Sequence, residues 1–174
     1  KDYKKDPIFK FDSMQNILDM IQVTSLRVKV ILQSPYSEPH ELEFYEWLHE
    51  LEETKHFSSI WKSIHDQWNR LKFLQTDKSF ETLCTKAHAH LLKLSQTLSL
   101  QLEHISNKSM VKVATDDNIN NASAMIKILN RVGLQTDLYI KEKRMAYPRL
   151  YLLSQEDTLA ALRNETDVMI KLFG

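Results

Sequence analysis

Only two glycines, Gly133 and Gly174, occur in the 174 residues of this chain. A phosphate-cradling loop needs glycines whose backbone N–H groups can approach the anion closely, and a dinucleotide fold needs a similar turn. Hairpin-rich β architectures need residues that tolerate φ > 0 at short intervals. This chain has four prolines and almost no glycine, so long helices are what remain. Apolar residues at 43% and charged residues at 26% are ordinary for a folded domain and too apolar for a disordered one.

Apolar spacing bears this out along the chain. From Asp12 to about Leu32, Met14, Ile17, Leu18, Ile21, Leu26, Val28 and Ile31 loosely follow helical steps, with Asp12 or Ser13 available as cap; a strand over Val23 to Ile31 is the alternative. Ser34-Pro35-Tyr36-Ser37-Glu38-Pro39 reads as a connector. From Pro39 to Leu74, residues from Phe44 to Leu71 recur at threes and fours, which predicts one long amphipathic helix. Trp47, Trp61 and Trp68 lie within it, and core packing explains them better than ligand stacking.

After a cap at Asp77 or Ser79, the series Cys84, Leu91, Leu98 and Ile105 forms a heptad and predicts a second long helix antiparallel to the first. Asn107-Lys108-Ser109 breaks that pattern. Caps between Thr115 and Asn118 open a further helix, which runs through Gly133 to a basic end at Lys141, Lys143 and Arg144. Pro148 stops it, and Tyr147 to Leu153 has no helical period, which predicts an extended strap packed on both sides. Ser154 with Asp157 resembles a capping box, and a last helix is expected near Thr166.

Chemistry is harder to find. His88 and His90 are two apart on a helix and point to nearly opposite sides, so both cannot hold one ion. Cys84 and His88 could share a face, but a structural zinc site needs four ligands and the chain has no second cysteine. Cys84 as a nucleophile lacks an identifiable base. Adjacent carboxylates such as Glu52-Glu53 and Asp116-Asp117 are explained by exposed faces and caps. Acidic and basic residues balance at 23 each, so no net field draws the chain to nucleic acid or to an anionic membrane. One cysteine fits a reducing compartment. No membrane span or signal peptide is expected. The chain opens without Met and closes in a segment of helical pattern, so a piece of a longer protein is the expectation. The basic cluster with Arg149 is explained equally well by dipole complementation and by an acidic partner.

The stretch from Tyr139 to Ser154, reading YIKEKRMAYPRLYLLS, closely resembles the pattern YLExKRxxFPRFxFLS of the linker region of dynein heavy chains. Gln155 to Leu162 is similar to the helix that follows it, and Ser34-Pro35-Tyr36, Trp47 to Leu51 and Gln67 to Leu71 resemble further family patterns in the same order. The chain departs from the family between Leu71 and Phe80, where a loop is shortened, and at Ala87, where Trp is common. The resemblance implies a non-catalytic mechanical element that lies across a ring of AAA+ modules and transmits their ATP-driven changes into movement along microtubules. It also implies no cofactor in this region, with ATP and Mg bound elsewhere in the parent chain. Partners would be the ring itself and other dynein subunits, with the microtubule met only indirectly. The setting would be the cytoplasm and cytoskeleton, a cilium included.

The expected fold is all-α: an elongated antiparallel helical bundle with one short extended strap. Residues 1–11 form a flank, 12–106 the long antiparallel helices, and 107–174 further helices with the strap. Docking candidates on the family motifs are Lys143, Arg144, Tyr147, Pro148, Arg149, Tyr151, Ser154, Asp157, Trp47 and Trp68. A helical scaffold that recruits a partner protein through an exposed face is the alternative.

Overall fold

The computed structural model describes residues 14–106 and 108–163, and all regular structure among them is helical. Seven helices are described: α1 (Met14–Leu32), α2 (Glu41–Leu71), α3 (Lys78–Leu83), α4 (Thr85–Ser106), α5 (Met110–Val113), α6 (Asp116–Ala146) and α7 (Gln155–Leu162). The predicted all-α bundle is therefore present. Asp12, Ser13, Asn107 and the helix expected near Thr166 lie outside the described residues.

The three longest helices share one sequence device. Thr54, Phe57, Trp61, Ile64 and Leu71 on α2 are buried; so are Ala87, Leu91, Leu94 and Leu98 on α4, and Ala122, Met125, Leu129, Val132, Thr136 and Tyr139 on α6. Steps alternating between three and four keep such a seam on one side of a helix over many turns. Each large apolar side chain buried this way contributes about 1.5–3 kcal/mol. Thr136 and Thr54 join their seams at low cost because each hydroxyl donates to the carbonyl four residues earlier, 2.9 Å to Val132 and 2.7 Å to Glu50.

Contacts divide the chain into two compact units, Lys1–Asp66 with Gln96–Ile126, and Gln67–Ser95 with Lys127–Gly174. In the first, α1 and α2 are joined by a 3-10 turn, Pro35–His40, in which Ser34 acts as cap. The Ser37 hydroxyl donates to the Ser34 carbonyl at 2.7 Å, closing the turn locally. Lys62 donates to Gln15, near the start of α1, so the two helices run antiparallel from the turn. Helix wins over strand at Val23 to Ile31, where burial recurs at Ile21 and Val28, a heptad apart, with no two-residue alternation.

In the second unit, Gln67 donates to Asn130 at 2.9 Å and Arg70 lies beside Gly133, so this end of α2 runs parallel to α6. The segment from Asp77 to Cys84 runs the other way along α6, from Tyr139 to Gln135. The stretch after Leu71 holds a single 3-10 turn, Lys72–Gln75, and then the cap of α3.

Two expectations need correction. The second long helix is interrupted: Cys84 has φ −122° and ψ 51°, which ends α3 before α4 begins. The strap is not extended either. Pro148–Leu152 forms a 3-10 turn, closed by Leu150 N–H to the Tyr147 carbonyl at 3.0 Å and Leu153 N–H to the Leu150 carbonyl at 3.3 Å. Proline's fixed φ suits the first position of such a turn as well as it suits a strand, and side chains then repeat every third residue. Only Leu150 is buried, in a small cluster with Ala160, Ala161 and Leu153, so the stretch is not packed on both sides.

Gly133 lies mid-helix in α6, and a Cβ there would meet only the Arg70 guanidinium at 3.9 Å, an ordinary contact. Gly133→Ala is therefore expected to stabilise the protein by about 0.5–1 kcal/mol. Denaturant unfolding monitored by circular dichroism checks this, and a loss of stability would show that Arg70 cannot adjust.

Candidate functional site

The C-terminal half of α6 is gripped from two sides, and most of the motif residues take part. On one side is the start of α3. Asp77 caps that helix, its Oδ1 accepting the N–H groups of Ser79 at 2.7 Å and Phe80 at 3.3 Å. Its Oδ2 accepts the hydroxyl of Tyr139, whose ring is fully buried and meets Phe80 edge-on with centroids 5.4 Å apart. Lys143, one turn along α6, donates to the Ser79 hydroxyl at 3.1 Å and lies 5.2 Å from the Tyr139 ring centroid. The cap, the phenol and the ammonium form one charge-assisted network.

Electrostatics follow from that geometry. Burial alone would raise the Asp77 carboxyl, but the hydrogen bonds from Tyr139, Ser79 and Phe80, with Lys143 nearby, bring it below its ordinary range. Tyr139 is pushed well above the usual phenol range by burial first and by Asp77 second, so it remains a hydrogen-bond donor. Burial, helped by Glu142, raises the Cys84 thiol, and its Sγ donates to the Gln135 carbonyl at 3.6 Å. Neither group is poised as a nucleophile or base near neutral pH.

On the other side of α6 is the turn and α7. One guanidinium nitrogen of Arg144 donates to the Leu153 carbonyl at 2.8 Å and to the Thr158 hydroxyl at 3.2 Å. Tyr151 lies alongside, with its ring centroid 5.9 Å from the guanidinium carbon. Thr158 is fully buried and passes its own proton to the Ser154 carbonyl at 2.7 Å. Ser154 caps α7, accepting the Asp157 N–H at 3.1 Å and donating to the Asp157 carboxylate at 2.9 Å. Gln155 reaches back to Asp137 on α6. Arg144, Tyr151, Ser154 and Asp157 thus form one connected lock.

Tyr147 is exposed and supplies the carbonyl that starts the turn, Pro148 is exposed at its first position, and Arg149 is exposed beside it. Trp68 is half-buried in the same unit, whereas Trp47 belongs to the other unit, where it meets Phe44 edge-on at 5.4 Å and is half exposed. Trp61 is the tryptophan fully committed to a core. Asp77, Ser79, Phe80 and Thr158 are parts of the grip that motif reading missed. The Asp-x-Ser-Phe cap at Asp77 was a usable signal, but nothing local tied it to a residue sixty positions later.

His88 is buried, and its Nε2 contacts the Gln75 carbonyl at 3.0 Å. His90 is exposed on another side of α4. No cluster of three or more metal-binding side chains, and no helix long and apolar enough to cross a membrane, occurs among the described residues.

Comparison with known proteins adds the deciding observation: the model of the family "Dynein heavy chain, N-terminal region 2" matches residues 1–172. The chain belongs to that family. It is also similar to a cytoplasmic dynein heavy chain from Neurospora crassa, at 21% identity over 145 residues. That match covers 82% of this chain and 3% of the Neurospora protein, so the chain spans a small part of the curated relative's length. Within this dynein heavy chain region, the motif from Tyr139 to Ser154 maps onto the two-sided grip on α6.

The Asp77–Tyr139 bond involves a charged acceptor, so Tyr139→Phe should destabilise the protein by about 1.5–3 kcal/mol. Because the folded-state carboxyl of Asp77 is depressed, its contribution is complete above the unfolded-state value near 3.9 and is lost as pH falls through the folded-state value. Urea titrations across the acid range should show a smaller acid loss in Tyr139→Phe than in the unmodified chain. Equal losses would mean that the bond does not hold the carboxylate ionised.

Proposed function

We propose that this chain is a non-catalytic mechanical segment of a dynein motor, part of the linker that carries ATP-driven changes of an AAA+ ring into movement. Family membership over residues 1–172 is the observation that carries the reading. Two features support it. The scarcity of glycine leaves no means of building a phosphate loop within this segment. The grip on α6 joins three elements through hydrogen bonds and buried rings, the kind of construction that passes a displacement along without absorbing it.

In this reading the 3-10 turn is where the segment meets the ring of its own heavy chain. Tyr147, Tyr151 and Leu152 are exposed there, at 62%, 59% and 84%, next to exposed Arg149. Large apolar groups grouped around a cation are a common make-up for a docking surface. Lys143 and Arg144 have inward duties and would act by positioning the turn. ATP and Mg would bind in the remainder of the heavy chain, other dynein subunits are further partners, and the microtubule would be met indirectly. The setting that follows is the cytoplasm and cytoskeleton, with an axonemal parent equally compatible.

Two outcomes test this. Leu152→Ser in the complete heavy chain should slow microtubule gliding several-fold, while the same change in the isolated chain shifts its unfolding midpoint little, as expected for a side chain 84% exposed. Gliding at the unmodified rate would remove the turn from the docking surface. Arg144→Lys, by contrast, should destabilise the isolated chain by about 1–2 kcal/mol, because an ammonium cannot reproduce the planar guanidinium between Leu153, Thr158 and Tyr151.

A further inference from the structure

A neutral chain need not be neutral everywhere, and here the imbalance falls on an exposed helix face. No Lys or Arg stands between Lys29 and Lys55, while seven glutamates fall from Glu38 to Glu53. The first half of α2 carries most of them. On the helical wheel, Leu42, Tyr45, His49 and Glu53 share one side, since each lies three or four residues from the next, and Glu46 joins them four residues after Leu42. Leu42 is 74% exposed and Tyr45 55%, so this side is apolar as well as acidic. Tyr36, on the turn that leads into α2, is 90% exposed and is held out by the hydrogen bonds of Ser34 and Ser37.

Scattered exposed apolar residues are normal on protein surfaces and require no partner. Three features set this face apart. Its apolar groups are large and grouped on one face of a helix and its leading turn. They sit within the one long stretch of the chain that lacks cations. Its glutamates pair with histidine, His49 to Glu53 at 3.4 Å and His40 to Glu43 at 3.4 Å, and these pairs carry attraction only when the ring is protonated. Two tyrosines and a leucine in a stretch with seven glutamates and no Lys or Arg present apolar area at low entropy cost together with a negative potential.

We propose that this face, from Tyr36 to Glu53, docks a basic amphipathic polypeptide segment whose Lys or Arg side chains flank a row of apolar residues. The apolar row covers Leu42 and Tyr45, and the cations meet the glutamates around them. Charge complementarity selects this occupant: an acidic or neutral segment would leave the carboxylates unpaired or repelled at the contact. The surface lies wholly within the first unit and does not depend on the linker reading.

The test uses the 174-residue chain. A fluorescently labelled synthetic helical peptide of Lys and Leu in amphipathic register is the probe, and its Glu/Leu counterpart is the control. Anisotropy titration should show saturable binding of the basic peptide that weakens as salt rises, and none of the acidic one. Amide chemical-shift changes should concentrate between residues 36 and 53. Tyr45→Ser combined with Glu46→Lys should raise Kd at least tenfold, roughly the effect of removing 1.4 kcal/mol, while Asp117→Lys on α6 leaves it within twofold. All three substituted positions are exposed or at a helix surface, and circular dichroism confirms that the variants remain folded. Binding that survives the double change, equal binding of both peptides, shifts centred elsewhere, or concentration-dependent self-association that buries this face would each overturn the proposal.

Discussion

A buried phenol must find an acceptor, and for Tyr139 the acceptor is the carboxylate that starts α3. Without that bond, a fully buried ring would carry an unsatisfied hydroxyl and the cap of α3 would lose its contact with α6. With it, three requirements are met together: Asp77 satisfies two orphan N–H groups, Tyr139 completes the seam of α6, and Lys143 lies close enough to steady the negative charge. The rest of the second unit can be read outward from this point. One turn further along α6, Arg144 turns to the opposite partner and holds the 3-10 turn and α7 through backbone and hydroxyl oxygens.

Much of this architecture could be read from the sequence because helical burial writes itself as a period. The seams of α2, α4 and α6 follow apolar residues at threes and fours, and Asp77 and Ser154 cap where residue type and neighbours indicate. What could not be read were features decided by a single dihedral or a distant partner. The break at Cys84 rests on one residue leaving helical geometry, and no glycine or proline marks it. The turn at Pro148 reads in sequence as an extended strap because five residues are too few to show whether side chains repeat by two or by three. Trp47 and Trp61 lie on one helix with similar spacing, yet only Trp61 is buried, since the extent of cover along a helix depends on what packs there.

The candidate site divides in the same way. The motif from Tyr139 to Ser154 names a segment but not the partners of its residues. Arg144 proved to face inward, holding the turn, and Arg149 and Tyr147 to face outward. Chain regions remote in sequence, Asp77 to Phe80 above all, complete what the motif begins. Between α2 and α3 lies one 3-10 turn, Lys72–Gln75, and the cap that follows it supplies the acceptor for Tyr139.

Cys84 sits at the junction between α3 and α4, with its thiol against the Gln135 carbonyl of α6 and its ionisation suppressed by burial. A thiolate cannot form readily there while α3 is seated, so the sulfur is slow to react with any electrophile in solution. Should α3 lift from α6, the same atom becomes an ordinary reactive thiol. The chain thus carries its own clock for local opening: the rate at which its single cysteine is labelled counts how often the Asp77 cap lets go of the long helix behind it.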